Sequence, residues 1–301
     1  MNFTPSYLRL SKNRELDKRI SLLQDFLKSC QLCPRVCQVN RLDGNLGYCG
    51  AGAELMVSSA FPHFGEEPPL VGTHGSGTIF LTHCNLRCAF CQNYDISHLG
   101  RGETLTTCDM AKAMMRLQEL GCHNINFVTP TQYTPQIVAS LPRAIEMGLR
   151  VPLVYNCSGY ESLEVIRLLD GIVDIYMPDA KFMDSEHSKR YCNAPDYPEV
   201  LKKILKEMHH QVGDLTVNSK GIAERGLLIR HLVMPGGVSS SEVVLKFIAE
   251  ELSIHSYVNI MEQYRPEYLA ENYPEIDHRI TNMEHMAAIQ TAKRFGLYRG
   301  F

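Results

Sequence analysis

The sequence predicts an α/β fold, and two observations carry that prediction. From Thr78 onward, short apolar runs alternate with longer amphipathic runs, and the alternation repeats six times along the chain. Strands separated in this way by helices form a parallel sheet with right-handed crossovers. The chain has 301 residues, enough to bury one large core, but its six strand–helix units are fewer than a closed (β/α)8 barrel has.

Each unit can be placed from its apolar pattern. The predicted strands cover residues 79–81, 124–129, 151–155, 172–176, 227–233 and 257–261. The predicted helices cover residues 107–120, 135–147, 162–169, parts of 184–211, 239–252 and 281–295. Gly121 and Gly148 follow two of these helices at positions that suit a left-handed cap. Ahead of the first unit we predict an amphipathic helix over 15–29 and a short strand over 55–60.

Three closely spaced cysteines follow the first predicted strand. Cys84, Cys88 and Cys91 have the spacing C-x3-C-x2-C. Thiolates are the preferred ligands of iron–sulfur clusters, which normally take four, so three would leave one iron open. Zinc is an alternative, with His83 or His98 as a further ligand. Disulfides fit poorly, because the chain has 11 cysteines, an odd number, and no secretion signal is expected.

A second cysteine group lies nearer the amino terminus. Its members have the spacing C-x2-C-x3-C-x11-C and are Cys30, Cys33, Cys37 and Cys49. Four thiols among glycines and a proline predict a closed four-ligand site, and a bound metal could stabilise a segment this poor in apolar residues. Zinc and a second iron–sulfur cluster both suit the ligands, and four free thiols are the alternative.

Polar residues recur where the predicted strands end. In barrel folds the active site forms at the carboxyl ends of the strands, so these side chains are candidates for binding a ligand. In chain order they are Asn126, Thr129, Thr131, Asn156, Ser158, Asp179, Lys181, Arg230, His231, Gln263, Tyr264 and Arg265.

The first cysteine motif resembles the signature of the radical SAM superfamily, C-x3-C-x-aromatic-C, which Cys84, Cys88, Phe90 and Cys91 fill. The resemblance implies a partial (β/α)6 TIM-type barrel and a 4Fe–4S cluster held by the three cysteines. It further implies that the open iron binds S-adenosylmethionine. An electron, from a donor such as flavodoxin or ferredoxin, would then split this compound into methionine and a 5′-deoxyadenosyl radical.

Within that superfamily the chain is similar to the branch of the pyruvate formate-lyase-activating enzymes. The similarity lies in Cys84–Asn93 and in segments 155–160, 176–181 and 229–236. It implies that Asn156, Asp179, Lys181 and Arg230 lie close to S-adenosylmethionine or to a peptide substrate. In two motifs this sequence differs from the sequences of that branch. Its Gly-Gly-Glu turn is replaced by Thr129-Pro130-Thr131, where a threonine and the backbone would take over, and its Asp-Gly-Pro-Gly element is replaced by residues 74–77.

The leading hypothesis is therefore a radical SAM enzyme that abstracts hydrogen from a substrate, which could be a glycine Cα in a partner protein. A maturase acting on another peptide or a small molecule is one alternative, and a non-catalytic iron–sulfur or zinc scaffold is another. We expect two units: residues 1–70, with the amino-terminal helix, the cysteine module and a connector, and residues 71–301, the catalytic domain. The module, with Cys33-Pro34-Arg35, also resembles a subgroup of activase-like proteins.

The composition of the chain limits which other binding partners are expected. The net charge of −3 gives no reason to expect binding to nucleic acid or to an anionic membrane. The first twenty residues carry several charges and no apolar segment, so we expect neither a signal peptide nor a membrane anchor. A cytoplasmic location is the expectation that also suits unpaired thiols.

Overall fold

A computed structural model of the protein describes residues 3–301. Its centre is a nine-stranded sheet in which most neighbouring strands are parallel. In chain order the strands are β1 (Leu55–His63), β2 (Ser76–Leu81), β3 (Glu103–Leu105), β4 (Ile125–Val128), β5 (Leu153–Cys157), β6 (Ile175–Pro178), β7 (Thr216–Val217), β8 (Ala223–Leu232) and β9 (Tyr257–Met261). The predicted α/β class is confirmed.

The parallel part of the sheet runs β2-β4-β5-β6-β8-β9, which matches the six predicted strands. All five residues of β5 are buried, as expected for a strand covered on both faces. This order of six parallel strands is consistent with the predicted partial barrel. At the edges, β1 pairs antiparallel with β2, β3 with β1, and β7 with β8.

Helices surround the sheet, most of them on its outer face. They are α1 (Tyr7–Lys12), α2 (Glu15–Asp25), α3 (Pro68–Val71), α4 (Tyr94–Ser97), α5 (Thr107–Glu119), α6 (Thr134–Glu146), α7 (Leu163–Leu168), α8 (Ser185–Cys192), α9 (Tyr197–Val212), α10 (Ser241–Glu251) and α11 (Asn282–Arg294). Side-chain caps fix several starts: the Thr106 hydroxyl accepts from the Asp109 N–H, and Thr281 and Glu284 form a capping box.

Two predictions for the amino-terminal region need correction. The helix predicted over 15–29 ends at Asp25, because the chain then turns into a loop in which the Cys30 and Val39 backbones pair (N···O 3.0 Å). The predicted connector, 54–70, contains β1, which extends to His63 and pairs with β2 from Val57 to His63. The first helical turns, α1, have too short an apolar pattern to be predicted. The division at residue 70 stays a prediction.

Two apolar clusters hold the layers together. The larger one joins the helices to the outer face of the sheet and includes Leu16, Leu23 and Met114. The smaller cluster, which we call the lumen cluster, consists of Leu70, Val154, Ile175, Met177, Leu215, Ala223 and Leu228. Leu70, on α3, places that short helix inside the curve of the sheet. Within residues 3–301, no helix is both long and apolar enough to cross a membrane.

Candidate functional site

The first cysteine group lies in a loop, residues 82–93, that leaves the carboxyl end of β2. We call it the cysteine loop. Cys84, Cys88 and Cys91 all border one cavity at this end of the sheet. His83 and Arg87 have left-handed backbone conformations, with φ of 64° and 52°, so the loop turns sharply on either side of Cys84. The Ala89 N–H donates to the Tyr191 carbonyl (2.8 Å), which ties the loop to α8.

Cys88 is buried, and Cys84 and Cys91 are half-buried. Burial raises the pKa of Cys84 to about 12, and burial also raises the pKa of Cys91. The pKa of Cys88 is raised by contact with the Cys192 thiol and by burial. Without a metal these groups therefore keep their protons, and binding of iron would have to displace them.

The donor set at the cysteine loop consists of three thiols, the ligand type that iron–sulfur clusters prefer. In the described part of the chain, residues 3–301, no three His, Cys, Asp or Glu side chains converge closely enough to hold one metal ion. This holds for the cysteine loop and for Cys30, Cys33, Cys37 and Cys49 alike. His83 and His98, the alternative zinc ligands, contact Tyr133 Oη (2.9 Å) and Ser97 Oγ (2.9 Å) through their Nδ1 atoms.

Four of the predicted polar residues form one network on the opposite wall of the cavity. Asp179 Oδ2 accepts from Lys181 Nζ (2.6 Å), and Asp179 Oδ1 accepts from Arg230 Nε (2.8 Å). Arg230 Nη2 also donates to Asn156 Oδ1 (2.9 Å). Burial favours protonation of Asp179, but Arg230 and Lys181 outweigh it and keep the pKa of Asp179 below its usual value. The network is therefore ionised, and we call it the charged network.

Thr129, the fifth predicted binding residue, borders the same cavity after β4. Its backbone is left-handed, with φ of 57°. Its N–H donates to the Asn156 carbonyl (2.8 Å), and its carbonyl accepts from Gln132 Nε2 (2.8 Å). Gln132 also donates to the Thr82 carbonyl (2.8 Å), so this one amide holds the Thr129 turn against the cysteine loop.

Other strand-end residues divide into two groups. Ser158 and Gln263 border the cavity with the charged network. The remaining predicted residues do not border it. Asn126 is buried within β4, Thr131 donates to buried Glu161 (2.9 Å), and His231 faces the Ala180 carbonyl and Ser241. Tyr264 donates to the Ile276 carbonyl (2.7 Å), and Arg265 borders a separate cleft. Strand alternation separates His231 from Arg230, because neighbouring residues of β8 point to opposite faces. It could not say which way the side chains beyond the strand ends turn.

Two residues near the site carried no sequence signal. The Cys192 thiol, at the end of α8, lies against the Cys88 thiol, although the two are far apart in the chain. Glu66 Oε2 lies 3.8 Å from Arg230 Nη1. Both contacts join distant segments of the fold, so no local spacing could have revealed them.

The amino-terminal cysteine module packs against the back of the cysteine loop. Cys30, Cys33 and Cys49 are buried and Cys37 is half-buried, with its Sγ accepting from the Tyr48 N–H (3.3 Å). Burial raises the pKa of Cys33 well above its usual value. Metal binding by these four thiols stays a prediction.

Arg35, the residue after Cys33-Pro34, connects the module to the cysteine loop. Its Nε donates to the Asn85 carbonyl (3.0 Å), and its Nη2 donates to the Cys192 carbonyl (2.8 Å). Its guanidinium also stacks 3.9 Å from the centre of the Tyr48 ring. One planar side chain therefore joins the module, the cysteine loop and the end of α8.

Comparison with known proteins identifies the family. A family model described as the radical SAM superfamily matches residues 78–223, which include the cysteine loop and the segment from β2 to β8. A protein of Methanocaldococcus jannaschii described as uncharacterized is 33% identical over 304 residues, covering 98% of this chain and 83% of that protein. The chain belongs to the radical SAM superfamily.

Membership of this superfamily implies a 4Fe–4S cluster and the reductive cleavage of S-adenosylmethionine to a radical. The chain is also similar to the crystal structure of a radical SAM methyltransferase from Sphaerobacter thermophilus, with a TM-score of 0.48 and 14% sequence identity. That match covers 74% of this chain and 65% of the methyltransferase chain.

Proposed function

We propose that this radical SAM protein is an enzyme that holds its 4Fe–4S cluster through Cys84, Cys88 and Cys91. S-adenosylmethionine would bind beside the cluster, against Thr129 and the charged network of Asn156, Asp179, Lys181 and Arg230. One observation carries the proposal: the three thiols and all five of these residues border a single cavity. A zwitterionic ligand with a ribose needs such a mixture of a carboxylate, cations and neutral hydrogen-bonding groups.

The chemistry divides between the cofactors and the chain. When bound, the cluster would give one electron to S-adenosylmethionine, breaking a C–S bond to yield methionine and a 5′-deoxyadenosyl radical, which takes a hydrogen atom from the substrate. The chain's own residues would orient S-adenosylmethionine and shield the reacting atoms from water. Asp179 is held ionised and in place by two cations, and Lys181 and Arg230 are held by Asp179 in return. The apolar walls, including Leu81 and Phe90, keep water from the reacting atoms.

For the substrate, we propose a glycine Cα in a partner protein, by similarity to the activating enzymes. This finer assignment rests on segments 155–160, 176–181 and 229–236. A maturase that acts on another peptide or a small molecule would use the same cavity, and a scaffold without catalysis would bind the cluster alone. We further propose flavodoxin or ferredoxin as electron donor, and zinc or an auxiliary iron–sulfur cluster at Cys30, Cys33, Cys37 and Cys49.

The decisive experiment measures 5′-deoxyadenosine. The protein is reconstituted with iron and sulfide without oxygen, then mixed with dithionite and S-adenosylmethionine. We expect 5′-deoxyadenosine from the wild type and at least a hundredfold less from Cys88→Ala. Cys108→Ala is the matched control, since Cys108 is an exposed thiol away from the cavity, and it should retain full activity. Equal product from Cys88→Ala would refute the cluster assignment.

The same reaction mixtures can test the substrate. Adding candidate glycyl-radical proteins and recording electron paramagnetic resonance spectra should reveal a protein-based glycyl radical when the right partner is present. A stable product on a peptide or small molecule, found by mass spectrometry without such a signal, would favour the maturase alternative. A loaded cluster with no affinity for S-adenosylmethionine would favour the scaffold.

A further inference from the structure

A chain of contacts leads from the cysteine loop to the surface of the protein. Ser97 Oγ, on α4, lies 3.1 Å from Cys91 Sγ and 2.9 Å from His98 Nδ1. The centre of the His98 ring lies 4.6 Å from that of Tyr268, and the Tyr268 ring stacks on Tyr94 with 5.2 Å between the ring centres. Each step is a hydrogen bond or a contact between rings. The sulfur of Cys91 is therefore connected to two tyrosines, which we call the aromatic pair.

The aromatic pair ends this chain of contacts at the surface. Ser97 is buried, whereas Tyr94 is 38% exposed. Two further apolar side chains next to the pair, Leu99 and Leu269, are exposed. The Leu99 N–H donates to the Tyr94 carbonyl (3.2 Å), and Leu269 directly follows Tyr268. Single apolar side chains are ordinary on a protein surface, but aromatic and apolar ones grouped together are typical of a contact with another protein.

The backbone of Tyr268 has an unfavourable conformation. Its φ of 58° lies in the left-handed region, which a bulky residue rarely adopts. The N–H of the next residue, Leu269, donates to the Ala89 carbonyl (2.9 Å) and so fixes this turn against the cysteine loop. Strain of this kind is concentrated at functional sites, where the surrounding structure imposes it. Here the turn brings the Tyr268 ring into contact with both His98 and Tyr94.

The aromatic pair lies outside the cavity of the charged network. Cys91 and Ser97 border that cavity, but Tyr94 and Tyr268 do not. A protein docked on the pair would therefore reach the sulfur of Cys91 through His98 and Ser97, and it would leave the cavity free for S-adenosylmethionine and a substrate. The partner that has to act on the cluster, and not on the contents of the cavity, is the electron donor.

We propose that the aromatic pair, together with Leu99 and Leu269, is the docking site of the electron donor, a protein that carries a one-electron redox group near its own surface. In this step the donor is oxidised by one electron and the cluster is reduced by one electron, and no atom is transferred. Electron-transfer partners associate through small, transient interfaces, which a patch of four side chains suits. The inference rests on the proposed function, because that function supplies the cluster that accepts the electron.

The test compares protein donors with a small reductant. Reduced flavodoxin, reduced ferredoxin and dithionite are each mixed with the reconstituted holoprotein without oxygen, and reduction of the cluster is followed by its absorbance. We expect Tyr94→Ala to slow reduction by the faster protein donor about tenfold, as loss of an aromatic anchor at an interface does. Reduction by dithionite should stay the same, because dithionite needs no docking surface. Tyr94→Phe keeps the stacked ring and should reduce at the wild-type rate with every reductant.

Tyr298→Ala is the matched control. Tyr298 is an exposed tyrosine whose ring also contacts a histidine, His255, with 5.8 Å between the ring centres. Its neighbour Arg299 is bridged to Tyr257, at the amino end of β9, which is the opposite end of the sheet from the cysteine loop. This variant should therefore behave as the wild type does with every reductant. Circular dichroism confirms that each variant is folded.

A second readout needs no turnover. Calorimetry measures the binding of the oxidised donor protein to the holoprotein, and Tyr94→Ala should weaken this binding about tenfold while Tyr298→Ala leaves it unchanged. Unchanged binding and unchanged reduction by the donor in Tyr94→Ala would overturn the inference. Equal slowing with dithionite would also overturn it, since the pair would then only support the cysteine loop. Failure of both donor proteins to reduce the wild type would do the same.

Formation of 5′-deoxyadenosine with dithionite, measured on the same samples, separates the two proposals. Normal formation by the wild type, combined with donor-dependent reduction that ignores Tyr94, would overturn only the docking site. No formation by the wild type, combined with donor-dependent reduction that requires Tyr94, would refute the proposed function and support the docking site.

Discussion

The two cysteine groups of this protein use the same ligand type in different surroundings. Cys84, Cys88 and Cys91 border a cavity whose far wall is an ionised network, so a metal bound there would face space for a second molecule. Cys30, Cys33 and Cys49 are buried against the protein itself. A reactive metal site needs an open coordination position, whereas a structural one is closed by the protein. The spacing of thiols therefore only predicts metal binding, and the neighbouring side chains decide whether a metal bound there could react.

The largest effect is expected for variants of the two cysteine groups, in which bound metal and activity are measured together. Cys88→Ser should lose the cluster, about four irons per chain, and reduce 5′-deoxyadenosine formation at least a hundredfold. Cys49→Ser should lose only the metal that we propose for the module and retain activity within about threefold. Iron, sulfide and zinc are counted per chain in both variants by elemental and sulfide analysis. Equal loss of activity in both would show that the two sites act as one.

An intermediate effect is expected for Arg35, which joins the amino-terminal module to the cysteine loop. Arg35→Ala removes donors to the Asn85 and Cys192 carbonyls, so the cysteine loop should lose support while all its thiols remain. Each charge-assisted hydrogen bond contributes about 1.5–3 kcal/mol. We expect the cluster to be lost about tenfold faster on exposure to a chelator, followed by its absorbance.

The control for that measurement is Arg116→Ala, which removes an exposed arginine from α5 and should leave the rate of cluster loss unchanged. Arg35→Lys keeps the charge but not the planar fork, and we expect an intermediate rate. A rate in Arg35→Ala equal to that of the wild type would contradict a supporting role for the module.

The smallest effect concerns Glu161, a buried carboxyl group beside the amino-terminal cysteine module. It accepts from Thr131 Oγ1 (2.9 Å) and Tyr155 Oη (3.3 Å), and its carboxyl group also faces Cys33. Burial raises its pKa to about 7, above the usual value of 4.5. The folded state therefore holds this proton more tightly than the unfolded state does. The corresponding stability is fully present below the unfolded pKa and is lost as the pH rises through 7.

Urea unfolding of the wild type at pH 6 and pH 8 should accordingly show a loss of stability, about 1 kcal/mol of which comes from Glu161. In Glu161→Gln that share of the loss should be absent. Glu164→Gln, at a neighbouring position in the first turn of α7, is the matched control and should lose as much stability as the wild type. Identical pH dependence in Glu161→Gln and the wild type would contradict the raised pKa of Glu161.

The hydrophobic periodicity of the sequence was enough to predict the α/β class and the parallel strands, because buried strands and amphipathic helices leave local sequence patterns. Periodicity could not predict how β1 pairs, because its antiparallel pairing with β2 depends on a contact across the Pro-rich segment 62–69. At the site, the motif identified the three thiols, and strand ends identified Asp179 and Arg230. Glu66 and Cys192 reach the site from remote segments, so their roles depend on tertiary packing that no spacing records.

The contacts of Arg35 also bear on how the protein is made. Its carbonyl acceptors belong to residues 85 and 192, and the cysteine loop is further tied to Tyr191. A ribosome releases these segments in chain order, so Arg35 and residue 85 are synthesised long before residues 191 and 192. The loop that carries Cys84, Cys88 and Cys91 can take its final shape only when α8 has emerged. Iron delivery that requires this shape must therefore wait until most of the polypeptide has been synthesised.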